Sequence, residues 1–325
     1  MPELDSGKIP GRRLVLKGAM LATGTAASAG ALAPAASAAT AERGGHGDPE
    51  GPEPIPEQLP VTEGFVEVPG GELWYWDTGG EGSAVILSHA GTGSALAWPY
   101  QQPALARAGY RVIAYSRRGH YRSSGATTAD PPAADDLLML ADHLGVDRFH
   151  LVGAALGGFV ATDFALSYPE RLLSLVLANS QMGIEDPDFA ATLTRLRPPE
   201  FGALPHSFKE LSPAYRAVNP EGLREWEEIT ERSRPGVALP LPNLVHGVTW
   251  DLLKTLRTRT LLTAGDADLY MPPPMTKQVL QHLPNACSLT FSEVGHTPHW
   301  ERPSAFNRKL LQFLAGARFP EGTRC

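Results

Sequence analysis

The stretch Val152-Gly153-Ala154-Ala155-Leu156-Gly157-Gly158 follows an apolar, strand-like run (149–152) and precedes a helix-like stretch (159–168). A sharp strand-to-helix turn of this kind presents its apex residue at the end of a sheet. Glycines two positions before and two after the apex suit it, because backbone and neighbouring strands approach closely there. The apex residue is Ala155. A methyl group cannot attack a carbonyl, so no covalent intermediate forms at this position. A bare Gly-x-x-x-Gly says little in a chain with 33 glycines; the strand–turn–helix setting carries the information. Further along, Gly265-Asp266-Ala267-Asp268 and Gly295-His296-Thr297-Pro298-His299 each follow a strand-like run, which puts carboxylates and imidazoles at strand ends.

The elements that must position these residues alternate. Residues 65–68 and 73–76 read as a hairpin around Pro69-Gly70-Gly71, and 84–88 as a strand covered on both faces. A helix over 97–108 leads to a strand at 111–115, and a helix over 133–144 to the strand 149–152. The helix 159–168 then leads to a strand at 172–177. Buried strands alternating with helices predict parallel strands with crossover helices. Residues 181–255 break the rhythm with prolines and amphipathic pieces such as 221–232. Alternation then resumes with a strand at 260–264, a helix near 274–282, a strand at 288–291 and a helix over 303–314. The expected architecture is an α/β core of 63–180 and 256–325, interrupted by a helical lid at 181–255. Its site is expected at the strand C-termini.

With the elbow in that setting, residues 63–316 resemble the α/β-hydrolase fold family, in which the apex is Ser, Cys or Asp. The resemblance implies a mostly parallel sheet with helices on both faces. It also implies roles for other residues. The family's acid lies three residues beyond the glycine after its strand, which selects Asp268 over Asp266. Gly295-His296-Thr297-Pro298-His299-Trp300-Glu301-Arg302-Pro303 matches the family's histidine loop. His296 is then the base, Asp268 its orienting carboxylate, and His299 a packing or bracing residue. Ser88-His89-Ala90-Gly91-Thr92-Gly93-Ser94 resembles the oxyanion loop, with Ala90 in place of the usual first glycine. It implies oxyanion donors at the Gly91 and Leu156 N–H groups. Residues 117–124 match a loop read as structural.

Ala155 leaves three readings open. The chain is a serine hydrolase of ester, lactone or similar acyl bonds whose nucleophile has been replaced. Alternatively, it is an enzyme in its own right that uses His296–Asp268 as a general base for non-covalent hydrolysis, lyase, cyclisation or cofactor-free oxygenation chemistry. The third reading is a ligand-binding pseudoenzyme. Loss of one triad member leaves about 10³–10⁴-fold acceleration over water in a serine protease, so alanine need not mean inert. In the lid and around it, Trp98, Tyr215, Trp226, His246 and Trp250 are candidates to line the pocket, and an apolar small molecule is the expected substrate.

The whole chain sets outer limits. It has 325 residues and a net charge of −7, which argues against a nucleic-acid or anionic-membrane partner. Scattered histidines imply no metal site, no cofactor motif is evident, and nothing indicates an oligomeric state. The two cysteines, Cys287 and Cys325, are expected as free thiols, with a disulfide between them as the alternative. Gly11-Arg12-Arg13-Leu14-Val15-Leu16-Lys17, a weakly apolar stretch and Ala36-Ser37-Ala38 resemble a twin-arginine export signal over 1–38, with no membrane span left after cleavage. Residues 39–62, rich in Gly, Pro and Glu, are expected to be a mobile linker with no part in the chemistry.

Overall fold

Strand β1 (Thr62–Val68) turns back through Pro69-Gly70 into β2 (Gly71–Asp77), and the two pair antiparallel from Thr62↔Asp77 to Val68↔Gly71. The computed structural model describes residues 52–234, 236 and 239–317, so the expected export signal lies outside the described residues. Strands β3 (Ala84–Ser88), β4 (Arg111–Tyr115), β5 (Phe149–Ala154), β6 (Leu172–Ala178), β7 (Thr260–Gly265) and β8 (Ala286–Phe291) complete one sheet. Its order is β1-β2-β4-β3-β5-β6-β7-β8, with β2–β4 antiparallel and every pair from β4 to β8 parallel. This is the expected α/β-hydrolase fold.

Parallel strands need crossovers, and these are helical. Helices α1 (Gln101–Arg107), α2 (Ala133–His143) and α3 (Leu156–Ser167) serve the first half of the sheet. Side chains alternate across each strand, so Ile86, Leu151 and Leu175 face one side while Val85, Val152 and Val176 face the other. The first set packs with Leu137 and Leu140 of α2 and Phe164 of α3. The second packs with Leu105 of α1 and with Phe306, Leu310 and Phe313 of the last helix. Burying each large apolar side chain stabilises the fold by roughly 1.5–3 kcal/mol.

Between β6 and β7 run five helices: α4 (Pro187–Leu196), α5 (His206–Glu210), α6 (Pro213–Val218), α7 (Pro220–Ser233) and α8 (Trp250–Leu253). Three of them begin with the same local device. Asp186, Ser212 and Asn219 each cap a backbone amide three residues on, and each precedes a proline at the first helical position. A small cluster of Tyr100, Leu211, Tyr215, Trp226 and Trp300 fastens this insert to the body. Helices α9 (Pro273–Leu280), α10 (Pro298–Glu301) and α11 (Pro303–Leu314) follow β7 and β8. Among the described residues no helix is long and apolar enough to cross a membrane.

Three expectations are corrected. The helix expected over 97–108 is a short 3₁₀ turn, Ala95–Ala97, and then α1 from Gln101. Trp98 precedes Pro99, which disfavours helical backbone at Trp98, and its carbonyl instead accepts the first amides of α1. The described part of the expected linker is strapped to the body. Glu53 O accepts from the Tyr100 hydroxyl, the Glu53 carboxylate from Ser304, and Leu59 exchanges two hydrogen bonds with Gln102. Side chains of the core thus satisfy a segment too poor in apolar residues to pack by itself. Finally, Cys287 is disulfide-bonded rather than a free thiol, while Cys325 lies outside the described residues.

Helix α3 lies so close to β3 that a Cβ on Gly157 would stand 2.1 Å from Ser88 O and 2.6 Å from His89 O. Both are backbone atoms and cannot rotate away. Gly157→Ala is expected to cost at least about 2 kcal/mol in denaturant unfolding. Gly202→Ala, where no atom lies within 4 Å of the new methyl, should stay within about 0.5 kcal/mol.

Candidate active site

One residue separates β5 from α3, and it is Ala155, at φ 49° and ψ −113°. A non-glycine residue held at positive φ stores about 1–3 kcal/mol of strain, so its surroundings must impose the conformation. They do so on both sides of the peptide. The Ala155 N–H donates to Ala178 O at 2.9 Å, while its carbonyl accepts from Gly158 N at 3.0 Å and Ser180 Oγ at 2.6 Å. The turn also brings the backbone against itself, since a Cβ on Gly153 would meet Gly157 O at 2.6 Å.

The loops after β7 and β8 bring Asp268 and His296 together. The His296 Nδ1–H donates to Asp268, with oxygens at 2.8 and 2.9 Å. Asp268 also accepts from the amides of Tyr270 (2.7 Å) and Met271 (3.1 Å) and from Asn179 Nδ2 (3.0 Å). Burial opposes charge on Asp268, yet His296 and these donors hold its carboxyl below the usual range. Burial likewise opposes charge on His296, but Asp268 and then Glu210 hold the imidazole above its ordinary value. The Tyr270 ring lies 4.5 Å from the His296 ring, and the His296 backbone N–H donates to Glu210 O at 2.7 Å. Asp266 takes no part. It is exposed and accepts from Ser292 Oγ and Glu293 N in the turn that follows β8.

Gly91 and Leu156 are neighbours: a Cβ on Gly91 would lie 3.2 Å from Leu156 Cδ2. Among the described residues neither their backbone N–H groups donate to a backbone carbonyl, and Leu156 opens α3, where amides point free of the helix. His89 fixes this loop. Its Nδ1–H donates to Ala90 O at 2.7 Å and its Nε2 accepts from Arg117 N at 3.0 Å, an arrangement only the neutral ring makes. Burial and then Arg117 accordingly push His89 well down. The Arg117 guanidinium donates to the carbonyls of His89 and Ala90, and Arg118 forms a two-pronged pair with Asp136 at 2.7 and 2.8 Å. The 117–124 loop is thus a brace for the strand ends.

A cavity of about 470 Å³ opens over Ala155, Leu156, Gly91 and His296. Its other walls include Phe159, Tyr270 and Leu239–Leu241, but also Gln181, Arg197, His206, Glu210 and Arg234. The cavity thus carries polar and charged side chains beside its apolar ones, and, as a correction, none of the five expected lining residues borders it. Trp98 is wholly buried against His299, with ring centres 4.8 Å apart. Tyr215 and Trp226 belong to the cluster that fastens the insert. His246 Nδ1 pairs with buried Asp163 at 2.8 Å, and Trp250 stacks on His282 at 4.3 Å. Aromatic residues in an insert serve first to hold it down.

The residues the sequence missed are Asn179, Glu210, Arg197 and Arg234. Asn179, at the end of β6, is wholly buried, and its side chain ties Asp268 to Gly295 O and Thr263. Glu210 is buried, accepts from Thr92 Oγ1 at 2.9 Å, and is pushed up by burial. Nothing in hydropathy or spacing marks any of the four. His299 is a buried neutral packing residue, held down to about 3 by burial and by His296. Glu301 joins two parts of the site, because it accepts from Ser212 N of the insert (2.9 Å) and Gly295 N of the histidine loop (2.9 Å). Burial pushes its carboxyl up to about 7.

Comparison with known proteins agrees with this fold. Residues 83–209 match the family model described as the alpha/beta hydrolase fold. A Variovorax paradoxus protein named provisionally as a carbamate hydrolase is 31% identical over 255 residues, covering 74% of this chain and 94% of that one. A 2-hydroxy-6-oxononadienedioate/2-hydroxy-6-oxononatrienedioate hydrolase of Burkholderia vietnamiensis is 29% identical over 271 residues, covering 74% and 90%. Among solved structures, a meta-cleavage product hydrolase from Pseudomonas fluorescens, in a serine-to-alanine form complexed with acetates, superposes with a TM-score of 0.61. It is 25% identical and covers 78% of this chain and 98% of that one.

The raised Glu301 gives a signed expectation. The folded protein holds this proton more tightly than the unfolded chain. Its contribution is therefore complete below the ordinary value of 4.5 and is lost as pH rises through about 7. Urea unfolding across that window should show the wild type losing up to about 3 kcal/mol relative to Glu301→Gln. A difference that does not change with pH would place the carboxyl in an ordinary environment.

Proposed function

The chain belongs to the α/β-hydrolase fold family, and from that premise we propose that it hydrolyses a carbonyl compound of small-molecule size without a covalent intermediate. The observation that carries this reading is the complete His296–Asp268 pair facing a cavity whose elbow apex is a methyl group. In the proposed reaction a water molecule occupies the space above Ala155. Its oxygen attacks the substrate carbonyl while its proton passes to His296 Nε2, and Asp268 stabilises the imidazolium that forms. The carbonyl oxygen becomes an oxyanion that accepts from the Gly91 and Leu156 amides. Collapse of this intermediate breaks the bond to the leaving group, which takes the proton back from His296.

Support comes from the hydrolase names of the relatives and from the Gly91 and Leu156 amides, which among the described residues donate to no backbone carbonyl. The relatives' bonds differ, so the acyl compound is left as a class. The proposal includes export through the 1–38 segment. The disulfide at Cys287 supports it, since such bonds persist in oxidising compartments.

The elbow keeps its strained backbone although alanine gains nothing from it, so a hydroxyl added there would be presented for attack. On p-nitrophenyl esters, Ala155→Ser is expected to add a burst phase and to be labelled at residue 155 by a fluorophosphonate. The unaltered chain should turn over with no burst. In both forms the rate should rise with pH through a value above 6.5, because His296 must lose its proton to act and Asp268 raises its affinity for one. Absence of turnover in the unaltered chain on esters and lactones, with a vigorous Ala155→Ser form, would overturn the non-covalent reading.

A further inference from the structure

Two guanidinium groups line the cavity, and among the described residues neither has an ion-pair partner. Arg197 follows α4, and its guanidinium carbon lies over the Phe201 ring (4.9 Å) and the Tyr270 ring (5.6 Å). Among the described residues its side chain makes one hydrogen bond, a long one from Nη2 to Tyr270 O at 3.4 Å, and its Nε is buried with no partner. Arg234 follows α7. Among the described residues its side chain reaches only His206 Nε2, at 3.3 Å, and its Nε is likewise buried with no partner.

The nearby acids do not neutralise them. Asp268 is committed to His296, Asn179 and two backbone amides. Glu210 accepts from Thr92 and stands 3.8 Å from His206 Nδ1, and burial favours its neutral form. His206 itself is held down by burial, then by Lys209 and Arg234, so it adds no charge of its own. Half-buried charges are ordinarily paired, and a guanidinium left without an acid inside a cavity is a place for an anion.

We propose that Arg197 and Arg234 form an anion subsite that holds a carboxylate of the substrate, so that the substrate of this site is an organic acid whose reacting carbonyl lies elsewhere in the same molecule. This rests on the reading of the cavity as the substrate site. A planar carboxylate is favoured because a guanidinium held against two aromatic rings offers a planar fork of N–H donors, which suits two coplanar oxygens. The carboxylate then anchors the molecule while Gly91, Leu156 and His296 address its carbonyl. An anchor away from the reacting centre converts binding energy into orientation, which a site lacking a tethered nucleophile has most need of.

The test is binding, measured by isothermal titration calorimetry on the unaltered chain, with adipate, its dimethyl ester and inorganic phosphate as probes. Adipate is expected to bind at least about tenfold more tightly than either of the others. Arg197→Met and Arg234→Met should each weaken it at least about tenfold. Arg197→Lys should fall between, because the charge stays but the fork is lost. Thermal melting of every variant separates lost binding from lost folding, and the lysine variant stands in should a methionine variant not fold. Equal binding of adipate and its diester would overturn the proposal, as would preference for phosphate. Undiminished adipate binding by well-folded methionine variants, or no adipate binding at all, would do the same. Because no turnover is measured, a chain that binds adipate through both arginines yet hydrolyses nothing would keep the subsite and lose only the proposed reaction.

Discussion

Holding an imidazole and a carboxylate together out of water is the constraint around which the rest of the molecule is arranged. Each group alone would be driven neutral by burial, and only the contact between them, with additional donors to the acid, keeps the pair able to move a proton. Asp268 therefore needs four donors besides solvent. They come from separate places in the chain: the His296 ring after β8, Asn179 after β6, and the amides of Tyr270 and Met271 in its own loop. Three parts of the chain meet at one carboxylate because parallel strands end on the same edge of the sheet.

The elbow is the second demand on that edge. Ala155 is strained, and the strain is met by hydrogen bonds from β6 and by the close seating of α3 on β3. None of this depends on the apex side chain. The backbone machinery that would aim a nucleophile is thus present without one, and among the described residues the Leu156 amide that opens α3 has no backbone acceptor beside Gly91. What remains chemically is a base, an acid that orients it, two amide donors and a vacant volume where a side-chain oxygen would sit.

Much of this was legible in the sequence because it follows from local patterns. The parallel core reads from continuous apolar runs separated by helical stretches, and Asp268 and His296 read from their places after consecutive strands. The cavity walls did not read, because they are set by how the 181–255 insert folds over the core, and its periodicities are short. Trp98, Trp226 and Trp250 are conspicuous in the sequence, yet large aromatic surfaces are used to fasten elements together. Arg197 and Arg234 are inconspicuous among 28 basic residues, and only the folded chain brings both to one cavity, where among the described residues neither has an acid partner. Residues 52–61 looked like a tether by composition. The side chains that hold them, Tyr100, Gln102 and Ser304, are distant in sequence and carry no signature.

The account stands on His296 acting as a base in a chain whose residue 155 is alanine. The most direct measurement is steady-state hydrolysis of a p-nitrophenyl ester by the unaltered chain and by His296→Ala, with intact-mass spectrometry of the protein during turnover. The account predicts turnover that falls by at least about a thousandfold without the imidazole and a protein mass that never gains an acyl group. Undiminished turnover by His296→Ala, or an acyl group carried by another residue, would contradict it.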